Sequence, residues 1–267
     1  MGIGETLPAG GTGGGPGSTQ ELARLAGTTP PASIPEVVER LAAIRDHAAS
    51  TSLLGEDDGI AAFTRLYHVI TAHIGEMADR GEFRSPEFLI RLDIEFAERY
   101  FDALRAYARD MSTCPRVWRV VFDNRSNPNI PAVNFAVAGV NAHINFDLSC
   151  AVVATWHHVP PRGDTVLDTH YHDYRLVNEV FEAEMDPLRE DLDSLLSHGP
   201  DGAIWDRTAN WMADLVVRFT RDLAWDEARR VWAKGGDEED VRESEAKLDA
   251  IATFIGETLV RTPVLPI

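Results

Sequence analysis

The sequence predicts an all-α protein, a single domain of about seven or eight helices around a buried polar central helix. Three observations support this prediction. From Ser33 onward, apolar residues recur at spacings of three and four, which is the period of an amphipathic helix. Proline and glycine clusters interrupt this pattern where helices are expected to end. An alternating pattern long enough for a β-strand does not occur.

The elements follow in order along the chain. Residues 1–32 contain a glycine-rich run, Gly10 to Ser18, that cannot bury enough apolar surface to offset the entropy lost on ordering. We therefore expect a disordered leader over 1–32 and one all-α domain over 33–267. Apolar periodicity, bounded by the proline and glycine clusters, predicts helices near 34–48, 57–80, 86–110, 114–123, 130–157, 168–197, 203–233 and 238–261.

The composition limits the partners of the protein. Its 267 residues carry a net charge of −18, which argues against binding nucleic acid or an anionic membrane surface, since both require clustered Lys and Arg. No stretch approaches the ~20 uninterrupted apolar residues of a membrane span, and no secretory signal is visible. We expect a soluble cytoplasmic protein whose partner is a small molecule.

The predicted helix 130–157 carries the most informative segment, Asn141-Ala-His-Ile-Asn-Phe-Asp147. Small and apolar residues flank this segment, so the helix is expected to be buried on nearly every side. Each buried polar group that lacks a partner costs roughly 1–3 kcal/mol. A helix that only buried apolar surface would not need a His, an Asp and several Asn, so the segment predicts a functional site.

His143 and Asp147 lie four residues apart, which places them on one face of this helix. Two interpretations of the pair stay open. The carboxylate can orient the imidazole and raise its basicity, as in catalytic dyads. Alternatively, both side chains can ligate a metal ion. Asn141 and Asn145 lie with Asn134 on the opposite side and are expected to orient a substrate.

Asp93 is a second candidate. It falls inside the apolar stripe of the predicted helix 86–110, so it is expected to be buried. A carboxylate in this position is either paired with a cation or has its pKa raised by desolvation. The structural interpretation is a buried ion pair or a capping contact, and the functional one is a general acid or base.

A third group lies on the predicted helix 168–197. His170, Asp173 and Asn178 face one way on this helix. If that face meets the central helix, several polar groups converge, and the assembly could bind a polar small molecule or a metal ion.

Arg221 and Trp225 form an i,i+4 pair on the predicted helix 203–233. The structural interpretation is an Arg stacked on an indole. The functional one is a cation that partners a buried carboxylate, such as Asp93 or Asp147, or that anchors an anionic substrate.

Five segments together resemble a known family. They are Ala62-Phe-Thr-Arg-Leu-Tyr, the segment from Phe88 to Leu104, the segment from Ala138 to Leu148, His172-Asp-Tyr-Arg-Leu-Val-Asn, and Arg221-Asp-Leu-Ala-Trp. In this order they resemble the bacterial domain-of-unknown-function family 5995. The resemblance covers roughly residues 55–230, implies an all-helical domain, and points to His143 and Asp147 without a settled chemistry. Ser149 departs from the family pattern, in which a proline is expected.

The expected function is an enzyme that acts on a small organic molecule by general acid–base chemistry without a cofactor. Asp93 or the pair His143 and Asp147 would move protons in a cyclisation, isomerisation or elimination of specialised metabolism. This expectation follows because no nucleophile elbow, phosphate loop or dinucleotide fingerprint is present. The residues expected to contact the substrate are Asn141, Asn145, His170, Asp173, Asn178, Arg221 and Trp225.

Two alternatives stay open at this point. The first is a metal-dependent hydrolase whose ligands are His143, Asp147, His170 and Asp173. The second is a non-catalytic helical protein that binds a small ligand, in which the polar helix only specifies packing or holds that ligand.

Overall fold

The computed structural model describes residues 16–196 and 220–261, which form helices and short connections with no strand among them. The all-α class and the single domain predicted from the sequence are confirmed. The helices are α1 (Pro16–Leu25), α2 (Ile34–Thr51), α3 (Gly59–Asp79), α4 (Pro86–Arg109), α5 (Arg116–Asn124), α6 (Ala132–Ala142), α7 (Leu148–His158), α8 (Asp164–Leu196), α9 (220–234) and α10 (Glu238–Arg261).

One hydrophobic core extends through these helices. α2 packs along α3, α1 and α7 flank α4, and α10 lies across α5 and α6. This arrangement places α4 and the junction between α6 and α7 inside the bundle, where the largest fully buried side chains are aromatic. They include Trp118, Trp156, Tyr100, Tyr174, Phe63, Phe88 and Phe101.

Residues 16–32 differ from the predicted disordered leader. They contain α1, whose Leu22 is buried in the core together with Ala26. The guanidinium groups of Arg40 and Arg105 donate to the carbonyl oxygen of Ala26 at 2.9 and 3.2 Å. The prediction of a disordered leader is therefore wrong for residues 16–32. It extended the glycine-rich composition of residues 10–18 to the short amphipathic helix that follows. The rest of the predicted leader lies outside the described residues.

The long central helix is confirmed in extent, but its middle is not α-helical. α6 and α7 join through one π-helical turn, His143–Asp147. The backbone N–H of Leu148 donates to the carbonyl of His143, five residues earlier, so the turn is wider than an α-helical one. By length and composition, Ala132–His158 could also cross a membrane, but 89% of its most apolar window is buried inside the protein, as in a core helix.

Gly139 brings this central helix close to α3. A Cβ atom at this position would lie 2.3 Å from a ring carbon of Phe63, so only glycine fits without displacing the ring. The close approach packs the π-helical turn against the aromatic side chains of α3.

One further boundary differs from the sequence prediction, and another is described only in part. α8 begins at Asp164, ahead of the predicted start at 168. The predicted helix 203–233 is described only from residue 220 onward as α9, and its earlier part lies outside the described residues.

Candidate active site

The π-helical turn brings His143 and Asp147 into contact. The Nδ1 atom of His143 lies 3.0 Å from Oδ2 of Asp147, and both side chains are almost fully buried. Single π turns inside α-helices are frequent at functional sites. The pair predicted from the i,i+4 spacing therefore forms, in a backbone geometry that the sequence pattern did not reveal.

Asp147 is held by side chains of two other helices, α4 and α5. The indole Nε1–H of Trp118 donates to its Oδ2 at 3.0 Å, and Nε of Arg99 lies 3.4 Å from its Oδ1. Arg99 also donates to Oε1 of Glu245 on α10 at 2.6 Å, and both of these side chains are about a quarter exposed. Both carboxyl oxygens of Asp147 therefore accept from N–H donors of other helices.

This arrangement fixes the tautomer of His143. Because Oδ2 of Asp147 already accepts from the indole of Trp118, we assign the Nδ1–H of His143 as a second donor to that oxygen, which leaves the lone pair of the neutral imidazole on Nε2. Burial lowers the pKa of His143 more strongly than Asp147 raises it, and the guanidinium groups of Arg99 and Arg221 lower it further. The imidazole is therefore neutral at neutral pH. Its buried Nε2 atom has no hydrogen-bond partner among the described residues.

Aromatic rings surround the imidazole. Phe96 stacks on it with 3.4 Å between ring centroids and 9° between ring planes, and Tyr67 meets it edge-on at 4.5 Å. Phe63, Trp118 and Tyr100 complete the surroundings at 5.9 to 6.4 Å. Such surroundings exclude bulk water, which explains why burial dominates the pKa of His143.

Asp93 lies on α4 one turn before Phe96, the residue that stacks on His143. It is 6% exposed, and its buried Oδ2 atom has no hydrogen-bond partner in the described part of the chain. Desolvation raises its pKa to about 7. Of the two situations expected for this carboxylate, the structure has the desolvated one.

Tyr67 and Thr71, one turn apart on α3, add two hydroxyl groups to the same region. Burial first, and then the charges of Asp93 and Asp147, raise the pKa of the Tyr67 phenol well above its usual range. Thr71 is close enough to act on the pKa of Tyr67, but neither hydroxyl makes a hydrogen bond of ordinary geometry within the described residues. Tyr67, Thr71, Asp93 and His143 thus form a group of four buried residues with unpartnered polar atoms, which we call the unpartnered cluster.

His170 and Asp173 do not join this cluster. The imidazole of His170 stacks on Phe88, with 4.1 Å between centroids. Asp173 accepts from the backbone N–H groups of Arg84 and Ser85 at 3.0 and 2.5 Å, so it caps the start of α4. The expected convergence of this face of α8 with His143 and Asp147 is therefore not observed.

The alternative metal site is not assembled either. Among the described residues, no three His, Cys, Asp or Glu side chains are grouped so that they could hold a metal ion. His143 and Asp147 bond to each other, and both oxygens of Asp173 are occupied by backbone N–H groups. The donor set of that alternative does not fit a shared ion.

Arg221 is buried on α9 and is tied to α8. Its Nε donates to Oδ1 of Asn178 at 2.5 Å, its Nη2 donates to the carbonyl of Tyr174 at 3.0 Å, and its guanidinium lies over the Tyr174 ring at 4.5 Å. The pair Arg221 and Trp225 does not carry the stacking contact that its spacing suggested. Instead, Arg221 stacks on Tyr174 and acts on the pKa of His143 from across the interior.

Trp225 packs among aromatic rings and also reaches the surface. Its indole lies 4.9 Å from the ring of Tyr174 and 5.2 Å from that of Trp156. It lines a groove of about 410 Å³ between α8 and α9, together with Tyr171 and three aspartates. This groove does not include His143, Asp147 or Asp93.

The asparagines of the central helix hold α10. The amide of Asn141 donates to the carbonyl of Ala252 at 2.8 Å, and the amide of Asn145 donates to Oδ1 of Asn141 at 2.8 Å. Asn134 donates to the carbonyl of Leu259 at 2.8 Å. The amides of Asn134 and Asn141 therefore attach α10, and the amide of Asn145 donates to Asn141, so we do not assign substrate contacts to these amides.

Sequence reasoning missed several members of the site. Arg99 and Trp118 contact Asp147 from two other helices, and Glu245 pairs with Arg99 from a third. No spacing within one helix reveals such contacts. Tyr67 and Thr71 lie on the buried face of α3, where a Tyr or Thr is normally a core residue. The signal that could have found Tyr67 is its position at the end of the Ala62 segment that carries the family resemblance.

Comparison with known proteins identifies the family but not the chemistry. The model of a family of unknown function, DUF5995, matches residues 34–262, which is most of the chain. The chain belongs to this family, and the resemblance noted in the sequence is confirmed. Neither a curated protein nor a solved structure matches the chain.

Proposed function

We propose that this protein is an enzyme that acts on a small organic molecule by general acid–base catalysis, with His143 as the base. One observation carries the proposal: Nε2 of His143 is buried and has no hydrogen-bond partner among the described residues, while the Nδ1–H of the same ring donates to Asp147. A buried acceptor without a partner costs roughly 1–3 kcal/mol, so it needs a compensating reason. A substrate proton at Nε2 is such a reason.

The surroundings support this role. Asp147 fixes the imidazole tautomer, and Trp118 and Arg99 in turn hold Asp147, which matches the logic of an oriented catalytic base. Asp93 has a pKa of about 7, so it can give or take a proton near neutral pH. A base and an acid in one apolar region suit a cyclisation, an isomerisation or an elimination, as in a cyclase or lyase of a biosynthetic route.

The test is a screen for turnover with purified protein and a small-molecule extract, followed by mass spectrometry and NMR. We expect the wild-type protein to consume a metabolite and the His143→Gln variant to lose at least about 100-fold in rate. Gln keeps a donor for Asp147 but has no basic nitrogen. His158→Gln is the matched control, since His158 is exposed at the end of α7. It should keep the wild-type rate.

Two results would contradict the proposal. Turnover that persists in folded His143→Gln protein would remove His143 from the chemistry. A metabolite that binds stoichiometrically but leaves without chemical change and without proton exchange would show a non-catalytic binding protein, because the unpartnered cluster can also hold a ligand.

A further inference from the structure

We propose that the substrate is an aldehyde or ketone with an acidic C–H bond next to its carbonyl group, and that the site forms and reprotonates its enolate. This inference rests on the proposed function of His143 and adds the class of substrate. The observation behind it is the set of hydroxyl and carboxyl groups near His143 that have no hydrogen-bond partner among the described residues.

The unpartnered cluster is rich in hydroxyl donors. The phenol of Tyr67 stays protonated, because burial and neighbouring carboxylates raise its pKa. Burial raises the pKa of the Asp93 carboxyl group to about 7, so this group can carry a proton near neutral pH. Thr71 supplies a third hydroxyl. Nε2 of His143 is the nitrogen of this cluster that carries a lone pair and no hydrogen, because the Nδ1–H of the same ring donates to Asp147.

These donors and this base are complementary to a carbonyl group whose neighbouring carbon carries an acidic proton. Neutral hydroxyl donors suit a carbonyl oxygen that becomes negative during the reaction. A phenol together with a carboxylic acid kept neutral by an apolar site is a known way to stabilise an enolate oxygen. The guanidinium groups of Arg99 and Arg221, which lower the pKa of His143, also favour negative charge that forms beside the imidazole.

The proposed step balances without another reactant. Nε2 of His143 takes the proton from the carbon next to the carbonyl, and the C–H electron pair becomes a carbon–carbon double bond. The π electron pair of the carbonyl moves to its oxygen, which is held by hydrogen bonds from Tyr67 and Asp93. The imidazolium then returns the proton to the same or another carbon. The product is the unchanged compound or an isomer of the same formula.

The apolar surroundings narrow the class further. The imidazole is enclosed by the rings of Phe63, Tyr67, Phe96, Tyr100 and Trp118. Such surroundings suit a cyclic or aryl carbonyl compound better than a sugar or a phosphate ester, since a strongly hydrated ligand would lose its water without replacement.

The experiment measures proton exchange in D₂O, which does not require the natural substrate. A panel of cyclic ketones, aryl ketones and aldehydes is incubated with the protein, and loss of the α-proton signal is followed by NMR. We expect exchange above the buffer rate for at least one compound, a loss of at least about 100-fold in His143→Gln and of about 10- to 100-fold in Tyr67→Phe. His158→Gln should exchange at the wild-type rate.

A second measurement uses substituted phenols, whose phenolates resemble an enolate in charge and shape. We expect these phenols to bind and to ionise more readily in the site than in water, as seen by absorbance, and Tyr67→Phe to weaken that ionisation. Weaker ionisation in Tyr67→Phe with an unchanged fold by circular dichroism connects the effect to the hydroxyl and not to a loss of the α3 structure, whereas unchanged ionisation in Tyr67→Phe contradicts a role for this hydroxyl.

The outcomes separate the two proposals. No exchange with any panel compound, together with His143-dependent turnover of a metabolite that has no carbonyl group, overturns the substrate class and leaves the acid–base function. No exchange and no turnover overturn both proposals. Exchange that persists in His143→Gln also contradicts both.

Discussion

Asp58 and Asp93 are both buried carboxylates in the helical core, but their surroundings are opposite. Oδ2 of Asp58 accepts from Nε of Arg125 at 2.8 Å, and its Oδ1 caps α3 by accepting from the backbone N–H of Ile60 at 3.0 Å. Oδ2 of Asp93 has no partner among the described residues. This chain thus satisfies a buried carboxylate where the fold depends on it.

The contrast with Asp58 indicates that the unpaired atoms of the unpartnered cluster are unusual for this fold. Native proteins leave few buried polar atoms unpaired, and each exception needs an explanation. Here the exceptions include Asp93 and His143, which also lie in one region, and the local rules of folding are usually broken at functional sites. The comparison predicts that removing the Asp58 carboxylate harms the fold and that neutralising Asp93 improves it.

The largest effect is expected from Asp58→Ala. This change removes the cap of α3 and leaves the guanidinium of Arg125, which is 6% exposed, without its counter-charge. Removing one partner of a buried pair costs about 3–5 kcal/mol. Urea unfolding followed by circular dichroism measures it. Asp58→Asn, which keeps an acceptor for the cap, should lose less, and an equal loss would show that the cap contributes nothing.

Asp93→Asn is expected to stabilise the protein, and only at high pH. The folded-state pKa of about 7 lies above the ordinary value of 3.8, so the folded protein binds this proton more tightly than the unfolded chain. The stabilisation from this proton is fully present below about pH 3.8 and is lost as the pH rises through about 7. At pH 9 the free energy of unfolding of the wild type is therefore lowered by about 4 kcal/mol, and the neutral Asn side chain avoids this loss.

Urea unfolding at pH 4 and pH 9 checks this expectation. The variant and the wild type should be nearly equal at pH 4, and the variant should be more stable at pH 9. Asp102→Asn is the matched control on the same helix, because that carboxylate is largely exposed and should change stability by less than about 0.5 kcal/mol at either pH. A destabilised Asp93→Asn protein at pH 9 would mean that the carboxylate has a stabilising partner.

Helical periodicity predicted the fold and also the polar positions at the centre of the candidate site, for the same physical reason. Helical periodicity assigned α2 to α7 and α10, and it also marked Asp93 and the pair His143 and Asp147 as polar groups on apolar faces. Such groups stand out because burying them is costly. The roles of these residues stay predictions, since neither the geometry nor the family relationship names a reaction.

The rest depends on contacts between helices, which one helix face cannot reveal. Nothing in the spacing of Asn141 indicates that its amide binds the carbonyl of Ala252 on α10. Nor does the α8 pattern show that Asp173 caps α4 through the backbone of Arg84. The π-helical turn was also out of reach, because it depends on how the central helix packs against its neighbours.

The smallest effect is expected from Glu245→Gln, which tests where the site ends. Glu245 pairs with Arg99 at 2.6 Å on the outer side of Asp147, and both side chains are about a quarter exposed. An ion pair in such a position contributes about 0.2–1 kcal/mol, so urea unfolding should show a loss in that range. Glu243→Gln, on the exposed face of the same helix, is the control. If Glu245→Gln instead costs as much as Asp58→Ala, Arg99 depends on α10 for its position on Asp147, and α10 is then part of the site and not only its cover.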